Sequence, residues 1–128
     1  MQLGVKCKMT AEFIQKVSGQ KLTVDNEIGV EYNEDSEEYE SLCDRYESII
    51  GFDRNKNKDK FDKELLNIIC KDVTDRTKKI TDKIVDVYKK SLTDRDFRGW
   101  IEFGGYILNP LDFSAVKFTN FRTHIFKQ

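Results

Sequence analysis

Glycine and proline are missing from Phe52 to Arg98, a run of 47 residues, and the 128-residue chain holds seven glycines and one proline in all. Without breakers, that run cannot be a string of short strands, and it leaves room for a long helix. His124 is the only histidine, which leaves little support for histidine-based catalysis. The cysteines are Cys7, Cys43 and Cys70, odd in number and far apart; this argues against a disulfide scaffold and fits a reducing cytoplasm. No apolar run approaches the ~20 residues of a membrane helix, and the first residues lack the apolar core of a signal peptide. Glycine-rich phosphate loop, Cys-x-x-Cys pair and nucleophile elbow are all lacking. The expectation is a non-enzymatic cytoplasmic protein with no cofactor. With neither repeat nor low-complexity linker, the chain is expected to form a single domain over residues 1–128.

What is present is charge, sorted along the chain. The net charge is −1, yet residues 1–50 carry five basic and eleven acidic groups, residues 51–92 twelve and eight, and residues 93–128 five and four. Between Lys21 and Arg45 stand nine carboxylates and no basic residue. A single-sign stretch of this kind speaks about partners and says little about fold.

The hydrophobic pattern places the elements. Leu3, Val5 and Cys7 alternate as in a strand. Thr10 is a candidate cap for a short helix carrying Phe13, Ile14 and Val17 and ending at Gly19. Leu22 and Val24, then Ile28, Val30 and Tyr32, alternate about Asp25-Asn26 and predict a hairpin. Asp35 with Glu38 reads as a capping box before Tyr39, Leu42, Cys43, Tyr46, Ile49 and Ile50 at helical spacing, with Gly51 as the stop. Asp59 is the candidate cap of a second helix with the apolar stripe Leu66, Ile69, Cys70, Val73, Ile80, Ile84, Val87 and Tyr88, from which Lys83 and its charged neighbours point away.

Thirty-four helical residues would span about 50 Å, against about 35 Å for the diameter of a compact domain of this size. Either the helix breaks in the weak stretch Asp72–Thr77, or its seam over residues 66–91 pairs with a second copy as a homodimer. Eight of the fifteen aromatics lie after residue 96. Trp100–Phe103, Gly104-Gly105 and Tyr106–Leu108 read as a hairpin, Asn109-Pro110 as a turn, and Ala115–Phe118 and Thr123–Phe126 as edge strands. The order β-rich, helix, helix, β-rich predicts an α+β fold with a mostly antiparallel sheet built from N- and C-terminal strands.

Three groups of residues are candidates for chemistry. Asp53, Asn55, Asn57, Asp59 and Glu64 alternate in a pattern that resembles the calcium loop of the EF-hand family over twelve residues, and the resemblance implies those five as calcium ligands. Two departures oppose it. Lys58 stands where that loop needs glycine, and Lys60 replaces an apolar residue. Arg54, Lys56, Lys58 and Lys60 would also repel a divalent cation. The segment Arg98–Phe103 is similar to the RNA-recognition strand motif, but Glu102 occupies the place of a stacking aromatic, so direct nucleic-acid binding is not expected. Arg95, Arg98, Arg122 and His124 flank the aromatic strands and, with Trp100, form a candidate clasp for a nucleotide-like anion.

The third group is Glu31, Glu34, Asp35, Glu37, Glu38 and Glu40. A coherent acidic face made by these side chains would steer the protein to a basic groove of a nucleic-acid-handling partner and block it. Small inhibitors encoded by phages and other mobile elements are similar in size and charge. An acidic-face inhibitor is therefore the first functional expectation, and sequestration of a nucleotide-like ligand the alternative.

Overall fold

The computed structural model describes Gln2–Lys127. Leu3, Val5, Cys7, Met9, Ala11 and Phe13 are all buried, and this unbroken period of two makes one strand, β1 (Gln2–Gln15). The short helix expected after Thr10 does not form. Instead of capping, the Thr10 hydroxyl donates to Asp25 Oδ1 at 2.6 Å. The chain reverses at Lys16–Gly19, where Gly19 takes φ 70° and its N–H returns to the Gln15 carbonyl at 2.9 Å. Asp25-Asn26 is consequently interior to β2 (Lys21–Asn33) and makes no turn.

Helix α1 (Glu37–Ile50) starts one residue later than the expected cap: the Ser36 hydroxyl, not Asp35, accepts from the Tyr39 N–H at 3.1 Å. Gly51 ends it with φ 92° and a bond from its N–H to the Glu47 carbonyl, the left-handed stop that glycine makes without steric cost. Helix α2 (Lys58–Thr93) is a single element of 36 residues. Its cap is Asn57, whose Oδ1 accepts from the Lys60 N–H at 3.1 Å, rather than Asp59. The expected break over residues 72–77 is not made. Val73 and Thr77 are buried there and the hydroxyls of Thr74 and Thr123 meet at 2.9 Å, so tertiary packing overrides weak helix propensity. Leu66, Ile69, Val73, Thr77 and Ile84 are buried within the chain itself. Cys70, Ile80, Val87 and Tyr88 of the same seam are half-buried.

Strands β3 (Ile101–Phe103) and β4 (Tyr106–Leu108) pair antiparallel about Gly104-Gly105, as the sequence predicts. Both glycines have positive φ, 57° and 82°, as a two-residue type I′ turn requires. Gly104 is fixed twice over, because a Cβ there would also run into the Asp25 carbonyl and the Val24 side chain. Asn109 caps a 3-10 turn at Pro110–Asp112. The two expected edge strands are one, β5 (Phe113–Lys127), and Asn120 absorbs the local irregularity at φ 56°, a conformation asparagine tolerates better than most residues.

Strands β2, β1 and β5 hydrogen-bond in that order into an antiparallel three-stranded sheet. With the two helices this is the expected α+β fold. The chain's contacts gather into two compact units. The first holds the residues up to Lys6, Gly29–Asp75 and those from Thr123; the second holds Cys7–Ile28 and Arg76–Arg122. In the first, Tyr39, Phe61, Leu65 and Val73 are fully enclosed, and Phe52 meets Phe61 edge-on at 6.1 Å. In the second, Met9, Phe13, Val24, Ile84, Ile101, Phe103 and Phe113 form the core, with Phe13 and Phe113 5.0 Å apart between centroids.

Candidate functional site

The β3–β4 hairpin has a closed side and an open one. Ile101 and Phe103 point into the second unit's core at 1% and 3% exposure. By strand alternation Trp100 and Glu102 face the other way. Ile107, the partner of Glu102, shares that open side, while Tyr106, the partner of Phe103, lies on the other face at the hairpin's tip; Trp100, Tyr106 and Ile107 remain 60%, 56% and 75% exposed. Four α2 residues, Ile80, Lys83, Ile84 and Val87, complete a recess of about 860 Å³ with Asn26 and the chain from Arg98 to Ile107. Spacing i, i+3, i+4 and i+7 puts these four on one helix face. Lys83 thus lines the recess instead of pointing away.

Polar groups in the recess are few and positioned. The Trp100 indole N–H donates to Glu102 Oε1 at 2.8 Å, which holds the ring. The Asn26 Oδ1 accepts from the Gly104 N–H at 3.3 Å, which leaves its amide hydrogens directed elsewhere. Lys83 and Arg98 are the cations of the lining, and Glu102 is its carboxylate. A recess of this size, mostly apolar with a few convergent polar groups, is the usual form of a small-molecule site.

Of the five residues predicted to clasp an anion, the fold brings Arg98 and Trp100 together and leaves out the rest. Arg95 is exposed just after α2 and does not line the recess. Arg122 lies on β5 outside the lining. His124 belongs to the first unit, its ring 6.5 Å from that of Phe126. Sequence reasoning missed Lys83, Tyr106, Asn26 and Glu102 as site residues. For Lys83 the signal existed: it sits only about 60° round the helix from Ile80 at 100° per residue.

In the first unit the acidic residues separate into two kinds. Glu34 is buried, its Oε2 3.4 Å from Lys58 Nζ while Oε1 has no hydrogen-bond partner. Glu40 Oε1 pairs with Arg54 at 2.5 Å, and the same guanidinium lies over the Tyr39 ring at 4.8 Å. Partial burial disfavours the Arg54 charge, but its bond to Glu40 and the neighbouring groups outweigh that and raise its pKa. The other four, Glu31, Asp35, Glu37 and Glu38, are exposed and make no ion pair among the described residues. Glu37 and Glu38 border a hollow of about 400 Å³ with Tyr32, Ser41, Leu42 and Arg45.

Beneath this surface the Tyr39 hydroxyl donates to Asp62 Oδ1 at 2.7 Å, and Lys127 Nζ is 4.0 Å from Asp62 Oδ2. Burial, and next the bond to Asp62, hold the Tyr39 hydroxyl far above the ordinary tyrosine range. Burial likewise pushes the Cys43 thiol up, the opposite of what a nucleophile needs. This is a locked interior.

The calcium-like segment is spent on backbone. Asp53 Oδ1 accepts from the Asn55 N–H at 2.6 Å and Asn57 Oδ1 caps α2. Because α2 begins at Lys58, Asp59 and Glu64 ride on the helix, and Asn55 is exposed in the connection before it. Among the described residues no group of three or more His, Cys, Asp or Glu side chains stands where it could hold a metal ion. No helix of the described chain is long and apolar enough to cross a membrane. Comparison with protein-family models, with curated proteins and with solved structures finds no match for this chain.

Proposed function

We propose that this chain is a binding protein that holds a small, flat, negatively charged ligand of the nucleotide kind in the hairpin recess. One observation carries the reading: Trp100 and Tyr106 stay more than half exposed on the rim of a cavity whose cations are Lys83 and Arg98. Burying a large aromatic is worth roughly 2–3 kcal/mol, so two rings left in water beside a recess mark a surface with something to cover it. A flat ring stacks on the indole while its phosphate meets the two cations. Thermal denaturation with and without nucleotides tests this. A true ligand at a hundredfold excess over Kd raises stability by about 2.7 kcal/mol, and Arg98→Ala with Lys83→Ala removes most of that gain. No shift with any nucleotide would refute the reading.

A second reading keeps the acidic face. Glu31, Asp35, Glu37 and Glu38 are exposed and unpaired among the described residues, which supports docking on a basic cleft of a nucleic-acid-handling protein. Lys58 and Arg54 engage Glu34 and Glu40, so the working face would be narrower than the six residues expected. Binding to purified nucleic-acid enzymes should fall with salt and be lost on reversing those four charges. Binding that survives the reversals would exclude it.

A further inference from the structure

Glu102 has no evident place in a site built only for an anion. Its carboxylate stands in the same recess as Lys83 and Arg98 and takes back one of their two charges. It does hold the Trp100 indole through Oε1 at 2.8 Å, yet a serine or glutamine could do that without repelling a phosphate. Its second oxygen, Oε2, has no donor among the described residues. A carboxylate accepts through both oxygens and several lone pairs, so Glu102 has capacity left for N–H groups of a ligand. Asn26 supplies the converse: with Oδ1 occupied by the Gly104 N–H, its amide has donors to offer.

Building on the nucleotide reading, we infer that the recess selects a guanine nucleotide, with Glu102 as the residue that reads the base. Guanine presents two adjacent N–H donors, N1–H and the 2-amino group, on one edge, which match a carboxylate. It also carries the O6 and N7 acceptors, which match an amide donor such as Asn26. Hypoxanthine lacks the amino group and keeps one donor. Adenine sets a ring acceptor next to its amine and would turn a lone pair toward the carboxylate. Stacking on Trp100 places the ring, Lys83 and Arg98 take the phosphate, and Glu102 discriminates because a hydrogen bond to a charged group is the stronger kind.

Trp100 is the only tryptophan of the chain, so its fluorescence reports on this recess alone. The full chain is titrated with GMP, IMP, AMP and guanosine, with naphthalene sulfonate as a flat anion that has no base edge. GMP should quench at the lowest concentration, with IMP about tenfold weaker, AMP weaker again, and guanosine weakened by loss of the phosphate. Glu102→Gln, which still accepts from the indole N–H, should bring the GMP-to-IMP ratio close to one; IMP, which also loses the acceptor for its N1–H, should weaken, but less than GMP. Equal affinities for GMP and IMP in the wild type would overturn the inference, and so would a Glu102→Gln effect equal for all ligands. Quenching by naphthalene sulfonate without quenching by nucleotides would overturn the guanine assignment and leave the recess standing; silence from every ligand would overturn both. Tighter binding of a short guanine-containing single strand than of GMP would overturn the free nucleotide as the ligand.

Discussion

The two units handle polar chemistry in opposite ways. In the first, Tyr39, Asp62, Cys43 and Phe61 are buried, Tyr39 bonded inward to Asp62 Oδ1 while Asp62 Oδ2 has no hydrogen-bond partner, and the nearby cations Arg54 and Lys58 are taken up by the chain's own carboxylates. In the second, Trp100, Tyr106 and Ile107 face water, and Lys83 and Arg98 line a recess without an ion pair among the described residues. Closed chemistry of the first kind stabilises a fold. Open chemistry of the second kind costs burial that folding has not recovered, and a ligand can recover it. Charge density is the louder signal in the sequence, whereas the exposed aromatic surface beside two cations is visible only in the fold.

That contrast breaks if mutations in the first unit behave like those in the second. Phe61→Ala, at a fully enclosed position, should cost about 3–5 kcal/mol in chemical denaturation. Trp100→Ala should change stability by less than about 1 kcal/mol while removing nucleotide-induced stabilisation. Comparable losses in the two variants would erase the distinction. Gly104→Ala, with positive φ and no room for a Cβ, should cost about 1–3 kcal/mol and weaken ligand binding by distorting the hairpin.

Tyr39→Phe should cost about 1–3 kcal/mol at neutral pH, because Asp62 loses its hydrogen-bond donor. It should also change the alkaline limb. The folded state holds the Tyr39 hydroxyl protonated well past its ordinary range, whereas the unfolded chain releases that proton near pH ~10. A raised native pKa gives stability that is complete below the unfolded value and is lost as pH rises, by about 1.4 kcal/mol per unit for one group. Wild type should therefore lose stability more steeply above pH ~10 than Tyr39→Phe, in which the raised Cys43 thiol still contributes; equal slopes would show that Tyr39 carries no linkage. A small effect is also expected from Glu37→Lys with Glu38→Lys. Loss of favourable dipole contacts at the N-terminus of α1 should cost only about 0.3–1 kcal/mol each, since these side chains stand in water.

Local chemistry was legible wherever it acts over a few residues. Gly51 stopping α1 and Gly104-Gly105 turning the hairpin follow from the one residue type that accepts positive φ cheaply. The errors share a cause. Phe13, Ile14 and Val17 mimic a helical face, and only the company of Met9 and Ala11 shows that the period of two continues through Phe13. Asp25-Asn26 has the composition of a turn, but cross-strand bonds to Thr10 and Gly104 keep it inside β2. Weak propensity at residues 72–77 lost to packing of Val73 and Thr77. Of the site, Arg98 and Trp100 were readable because they sit in the hairpin itself; Lys83 and Asn26 reach it from elements distant in sequence.

The amino-acid order alone determined the α+β class, the two helices and the glycine turns at Gly51 and Gly104-Gly105, because periodicity and backbone preference are properties of neighbouring residues. Only the tertiary structure decided which carboxylates meet cations and which side chains share the recess. Arg54 reaches Glu40 across fourteen positions and Gly104 reaches Asn26 across seventy-eight. Electrostatic pairing and cavity shape depend on distance in space, and separation along the chain does not specify that distance.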